Sequence, residues 1–409
     1  MSGIAGVISS VLDYEELNNC LQKANKIQKH RGPDASGVYI DEKAIQKVGL
    51  AHQLFVFDST RSENQPRVAF DGQSHMSYDG KVYNYIELRN QLRKHGYSFI
   101  SNSDTEVIIT AIKHWGIDKA LNKFNGMWSF AYLDLKKSKL YLVRDRFGVK
   151  PLYYSPNKEG LFFASEMKTI LEMTKHKYAL DYQVVGEYLQ QSLAENSNDT
   201  FLRGINKIPA GSYAEIDLAS DRILLNLKKY YDLEEHLDNK IERNETYLIE
   251  QIRELFFDAV SKCLSEDVPI GVLLSGGIDS SSIAATLMSR DDIKFLAAVS
   301  NDKRFDESPF IDIMAHHLNN PVHKITLDLN DSNAFELLEK TCWFNDEPVG
   351  SFSNVAHFLL MQKAKELGVK VILSGQGADE LLCGYRKYLG FHIQSLLRNN
   401  RYLNAFGDI

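Results

Sequence analysis

The sequence predicts two domains of different class, an α+β layered domain followed by an α/β domain built on a parallel sheet. Three observations carry that expectation. At 409 residues the chain exceeds one ordinary core, and its length suggests roughly two or three domains. Up to residue 216, short β-type runs and helical patterns come in blocks without a steady βαβ rhythm. After residue 247 strands and helices alternate, as parallel strands with crossover helices require.

In the first region the β-type runs fall at 4–8, 47–51, 127–133, 139–143 and 161–164. Apolar residues at three- and four-residue spacings predict helices over 14–28, 85–94 and 105–115. The stretch 217–246 is charged, with Asp232-Leu-Glu-Glu-His-Leu-Asp-Asn-Lys240, and shows little apolar periodicity, so it reads as a linker between domains 1–216 and 247–409. Beyond it the pattern predicts helix 247–264 and strands 269–274, 294–299 and 322–327. Helices 309–318, 334–343 and 355–366 and strand 369–373 complete it. Ligands of such a sheet sit at the carboxyl ends of its strands.

Composition narrows the function classes. Hydrophobic residues at 44% and charged residues at 25% are ordinary soluble usage. A net charge of -7 argues against bulk nucleic-acid or anionic-membrane binding. No apolar run approaches the roughly 18 residues of a membrane span, and the apolar start lacks a basic leader. Cys20, Cys263, Cys342 and Cys383 form no CxxC pair, which disfavours thiolate metal sites and a disulfide framework. The expected setting is a reducing cytoplasm.

The strongest chemical signal is Gly271-Val-Leu-Leu-Ser-Gly-Gly-Ile-Asp-Ser-Ser-Ser282, an apolar strand, a Ser-Gly-Gly turn and an immediate helix. Glycine lets backbone N–H groups approach a ligand, and a helix N-terminus favours negative charge. Ser275, Ser280 and Ser281 add hydroxyls around Gly276 and Gly277, and Asp279 offers a hard oxygen for Mg²⁺. The competing reading is a tight turn with Asp279 as a simple helix cap. The run is neither a Walker P-loop nor a Rossmann GxGxxG. A second run, Val371-Ile-Leu-Ser-Gly-Gln-Gly-Ala-Asp-Glu380, repeats the geometry with Ser374, Gly375 and Asp379. Two such loops at neighbouring strand ends could converge on one triphosphate, with Asp279 and Asp379 holding the metal.

With these motifs in order, the chain resembles the glutamine-dependent asparagine synthetase family. The N-terminal region resembles it too, through Arg31-Gly-Pro-Asp-Ala-Ser-Gly37, Tyr83-Asn-Tyr-Ile-Glu-Leu-Arg89 and Ser103-Asp-Thr-Glu106. Arg144-Asp-Arg-Phe-Gly-Val-Lys-Pro-Leu-Tyr153 and Ala164-Ser-Glu-Met-Lys168 extend the match, which runs from Ser2 to Tyr385. The resemblance implies an N-terminal-nucleophile αββα glutaminase domain, then a doubly wound ATP-pyrophosphatase domain. It implies ATP and Mg²⁺, a small carboxylate, and glutamine, ammonia or an amine as nitrogen donor, and it is compatible with a homodimer. The carboxylate would attack the α-phosphate of ATP, and nitrogen would displace AMP to leave an amide. Leu273 and Val299 match positions lining the adenine, although plain core roles explain both equally well. The family continues in a further helical segment with an essential lysine, so the resemblance implies that the C-terminal part of this domain is lacking.

Several positions depart from the family. A cysteine nucleophile is replaced by Ser2, and an oxyanion-hole Asn-Gly-Glu by Asp79-Gly80-Lys81. The arginine that holds the glutamine carboxylate is missing from His52-Gln-Leu-Phe-Val-Phe-Asp58, where Arg61 is the nearest substitute. Asp104, matching the residue that holds the glutamine amine, is kept. Asp79 would repel a developing oxyanion unless Lys81 or protonation neutralises it. Ser2 reads either as an engineered replacement or as part of a natural, impaired glutaminase. Gln376 stands where a glutamate usually lies beside the adenylate, which puts the acceptor or nucleophile in question. Three functions stay open: an asparagine-synthetase-like ligase, a β-lactam or lasso-peptide type amide synthetase using a substrate amine, and a non-catalytic scaffold.

Overall fold

Strand Gly3–Ser9 is buried along its whole length. Its small and apolar residues face two cores at once, Ile4 and Ile8 on one side and Ala5 and Val7 on the other. It therefore occupies the middle of a sheet, where no side chain meets water. The computed structural model describes residues 1–56, 64–192, 197–237, 244–264, 268–304, 306–327 and 333–399. The chain divides into two units, one of Met1–Gln251 with Glu336–Asn354, the other of Ile252–Phe335 with Val355–Ile409.

The first unit holds two antiparallel six-stranded sheets. One runs Asn206–Lys207, Tyr153–Asn157, Gly160–Ala164, Gly3–Ser9, Lys47–Leu54 and Ala35–Asp41. The other runs Asn226–Lys229, Ser212–Asp217, Lys139–Arg144, Gly126–Asp134, Ser74–Val82 and Arg67–Val68. Side chains of both sheets share the core of Ile4, Leu50, Phe163, Leu133, Leu142 and Ile216. Helices Tyr14–Ile27 and Met167–Met173 cover the outer face of the first sheet. Helices Tyr85–Lys94, Asp104–Trp115 and Ile117–Lys123 cover that of the second. The result is a four-layer αββα stack.

Local chemistry sets the helix ends close to where the sequence places them. Asp13 and Glu16 form a capping box before Tyr14. Ser103 Oγ accepts from Thr105 N at 3.0 Å, which starts the next helix at Asp104. The linker expectation needs correction. Asn226–Lys229 pairs with Ser212–Asp217 as an edge strand. An edge strand needs partners on only one side and keeps its charges in water, so its composition looks like a linker.

The second unit is a doubly wound sheet of four parallel strands, ordered Val322–Leu327, Lys294–Ser300, Ile270–Leu273 and Val371–Leu373. Ala284 and Ile311, from helices Ile278–Thr286 and Ser308–Leu318, pack on one face. Leu360 and Ala364, from helix Phe352–Glu366, pack on the other. The first two crossovers step one way and the last returns to the opposite side of Ile270–Leu273. The topological switch point therefore lies between Ile270–Leu273 and Val371–Leu373, where open α/β sheets bind ligands. Segment Glu336–Asn354, expected to belong to this domain, groups with the first unit instead. Among the described residues no helix is long and apolar enough to cross a membrane.

Candidate functional sites

Parallel pairing of Ile270–Leu273 with Val371–Leu373 brings both Ser-Gly loops to one sheet edge. An ideal Cβ on Gly375 would lie 3.0 Å from Asp279 Cβ and 3.2 Å from Ser280 N, so the loops lie against each other and a side chain there would force a neighbour to give. Gly276 has φ +75°, and a Cβ there would meet Phe310 Cβ at 2.6 Å. The turn thus needs glycine both for its conformation and for its packing.

The serines divide by role. Ser280 is buried, and its Oγ accepts from Ser275 N at 3.1 Å while lying 2.9 Å from Ser275 Oγ. Its hydroxyl therefore pins the loop from inside, in place of the ligand-facing role the sequence suggested. Gly277 N donates to Ser275 Oγ at 3.3 Å, and Gly277 precedes the first helical residue, Ile278. Ser281 is half-buried in the first turn, and Ser374 leads the second loop to exposed Gln376. Leu273 and Val299 pack into clusters on opposite faces of the sheet. Their side chains are not brought together.

Asp279 and Asp379 stand in the first turns of helices Ile278–Thr286 and Ala378–Leu382. Both are half-buried, and no ion pair involves either among the described residues. No group of three or more metal-ligating side chains occurs among the described residues. That donor set fits Mg²⁺, which is bound through one or two carboxylates with waters and substrate phosphates completing the shell. Asp279 and Asp379 are the residues that would hold it.

The N-terminal site is different in kind. Ser2 N donates to Asp79 Oδ1 at 3.1 Å, and Ser2 Oγ accepts from Phe55 N at 3.1 Å. Asp79 Oδ2 meets Arg31 Nη2 at 3.1 Å, and Oδ1 lies 3.5 Å from Lys150 Nζ. Burial pushes the Asp79 carboxyl up, but Lys150 and Arg31 outweigh it and hold it below the ordinary carboxylate range. Asp79 thus stays ionised beside Arg31 and Lys150, while Lys81 lies over the Tyr85 ring at 5.0 Å. Gly80 follows in the same strand, packed against Met127 and Trp128.

Arg31 also meets Glu166 at 3.2 Å, and Glu166 meets His30 at 2.9 Å and Lys168 at 3.0 Å. Burial raises the Glu166 carboxyl, yet His30, Arg31 and Lys168 together hold it down to about 2. Asp104 Oδ2 accepts from Tyr78 Oη at 2.9 Å and Val82 N at 3.0 Å. Within the stretch 52–58, His52 is fully buried, its Nδ1 3.0 Å from Ser77 Oγ. Burial pushes its imidazole down to about 4, so it supplies no positive charge at neutral pH. Arg61 lies outside the described residues.

Arg31, Lys150, Glu166 and Lys168 lie in recognisable motifs, but the sequence alone does not show their roles. Their signal is a set of charges placed beside strand residues that are themselves buried. Only the fold reveals that they meet.

Residues 1–231 match the glutamine amidotransferase domain family, and residues 251–404 match asparagine synthase. The putative glutamine-hydrolyzing asparagine synthetase 2 of Methanocaldococcus jannaschii is 30% identical over the whole chain and 80% of its own length. Glutamine-hydrolyzing asparagine synthetases 1 and 2 of Bacillus subtilis are 30% and 32% identical over 95% and 94% of this chain. The chain spans 59% and 52% of their respective lengths. Fold and matches together define an N-terminal-nucleophile-type amidotransferase unit joined to a doubly wound synthetase unit. The chain belongs to the glutamine-hydrolysing asparagine synthetase family.

Proposed function

We propose that this protein is an ATP-dependent amide-forming ligase, asparagine-synthetase-like, whose own glutaminase site is silent. The observation that carries the reading is the contact between the two Ser-Gly loops at the switch-point crevice, with neither Asp279 nor Asp379 in an ion pair among the described residues. Backbone donors around Gly276, Gly277 and Gly375, with the hydroxyls of Ser275, Ser281 and Ser374, cradle the triphosphate. Mg²⁺ held by Asp279 and Asp379 would neutralise phosphate charge. A substrate carboxylate oxygen attacks the α-phosphorus and the bond to pyrophosphate breaks. The nitrogen nucleophile then attacks the acyl carbon, AMP leaves with the bonding electrons, and the nitrogen loses its proton. Gln376 faces this chemistry as a neutral hydrogen-bonding group. The synthetase domain in this proposal spans 247–409 and the amidotransferase-type domain 1–216.

Silence of the N-terminal site follows from charge. If Met1 is removed, the α-amine of Ser2 stands 3.1 Å from an ionised carboxylate, a partner that favours its protonated form over the free base the reaction needs. The same carboxylate opposes an oxyanion. Asp104 can still take an amine, but no arginine faces the glutamine carboxylate among the described residues of 52–58. The nitrogen source is therefore ammonia or a substrate amine. Pyrophosphate release across a panel of carboxylates and amines tests the reading, with calorimetry of Mg-ATP on Asp279→Ala and Asp379→Ala. Unchanged affinity in both variants would remove the nucleotide assignment.

A further inference from the structure

Segment 343–349 lies in the span matched by asparagine synthase, yet it packs on the N-terminal unit. Asp346 has two structural roles there. With φ +66° it ends helix Ala334–Asn345, its N–H donating to Cys342 O at 2.9 Å. Its carboxylate accepts from Met167 N and, at 3.3 Å, from Lys168 N. These are leading amides of helix Met167–Met173, whose N-cap residue Glu166 makes no capping bond of its own. The helix is thus capped by a residue 179 positions away.

The contact has further anchors. Lys207 and Glu347 pair at 3.2 Å, each side chain 5% exposed. Tyr188 Oη donates to Val349 O at 2.8 Å, and Lys168 Nζ donates to Trp343 O at 2.9 Å. The rings of Trp343 and Phe344 lie 4.7 and 5.5 Å from that of His30. From Asp346 a chain of opposite charges runs inward, to Lys168 at 3.2 Å, Glu166 at 3.0 Å, Arg31 at 3.2 Å and Asp79 at 3.1 Å. It ends on Ser2 N. Buried ions of this kind hold one another, since unpairing any of them strands a charge out of water.

We propose that this ladder couples the Ser2 site to segment 343–349, so that the charge state of the Ser2 site sets how firmly that segment is held. From Asn354 the chain continues into the second unit within helix Phe352–Glu366. Asp79, Arg31, Glu166, Lys168 and Asp346 are positioning residues. This inference goes beyond the proposed ligase activity and does not depend on it.

A double-mutant cycle tests it, read by amide hydrogen exchange of residues 341–350 in the full chain. Asp79→Asn and Asp346→Asn should each speed exchange there by about tenfold. The double variant should be no faster than the faster single, because both remove one shared network. Lys168→Arg, which keeps a charge between the two carboxylates, should stay slow, whereas Lys168→Met should not. Exchange in helix Asp104–Trp115 reports global unfolding, and Glu166→Gln replaces Asp79→Asn if that variant unfolds. Unchanged exchange at 343–349 in Asp79→Asn, or effects that multiply in the double variant, would overturn the coupling.

Discussion

The two candidate sites sit at comparable places, each beside a strand in the middle of a sheet, and they treat carboxylates in opposite ways. Asp79 is 3% exposed and held between Arg31 and Lys150. Asp279 and Asp379 are half-buried without an ion pair among the described residues. A buried, fully paired charge is part of the scaffold, because its partners have already compensated its desolvation. An unpaired carboxylate at a crevice keeps its affinity for a cation that arrives with substrate. In the proposed reading the amidotransferase-type fold is retained while its site is closed by charge, and the nucleotide crevice is left open.

Stability breaks or sharpens this contrast most. Arg31→Ala takes a buried partner from both Asp79 and Glu166 and should cost about 3–5 kcal/mol. Asp279→Ala should stay within roughly 0.5 kcal/mol of the parent. Thermal or denaturant unfolding of the two variants decides it, and equal losses would erase the distinction. The ranking reverses for activity. Asp279→Ala should lower pyrophosphate release by about a hundredfold or more, the scale of losing one transition-state charge stabiliser.

A smaller effect is expected at Ser2. Ser2→Cys alone should raise glutamate release by less than about tenfold, because the Asp79 carboxylate still favours the protonated amine and opposes the oxyanion. Ser2→Cys with Asp79→Asn should exceed the single variant. Brisk glutaminase activity in Ser2→Cys alone would show that Asp79 is harmless and Ser2 the sole lesion.

The smallest effect is the pH dependence of folding. Glu166 titrates near 2 in the folded chain against an ordinary 4.5. Its contribution is present above 4.5 and is lost as pH falls towards 2, since the unfolded state binds the proton first. Glu166→Gln should flatten the stability profile across that window. His52, lowered to about 4 from 6.5, acts in the window above. Its folded pKa is depressed, so stability falls as pH drops from 6.5 towards 4, and His52→Gln should reduce that slope, to which His75, also lowered to about 4, contributes.

What the sequence determined by itself is local. Capping at Asp13 and Ser103, the small-residue run of Gly3–Ser9 and the strand-turn-helix order around Ser275 and Ser374 each depend on neighbours a few residues apart. Periodicity and glycine placement record such constraints directly, which is why the fold class and the two Ser-Gly loops were legible. Tertiary structure decided everything that depends on which distant residues meet. It turned Ser280 inward, placed Leu273 and Val299 on opposite faces, and made an edge strand of charged residues 226–229. It also took 336–354 out of the synthetase half and set Asp346 on a helix 179 positions away. Ion pairs leave no periodic trace along a chain. Whether a carboxylate such as Asp79 is silenced, or like Asp279 left open, depends on partners that only folding brings within a few ångströms.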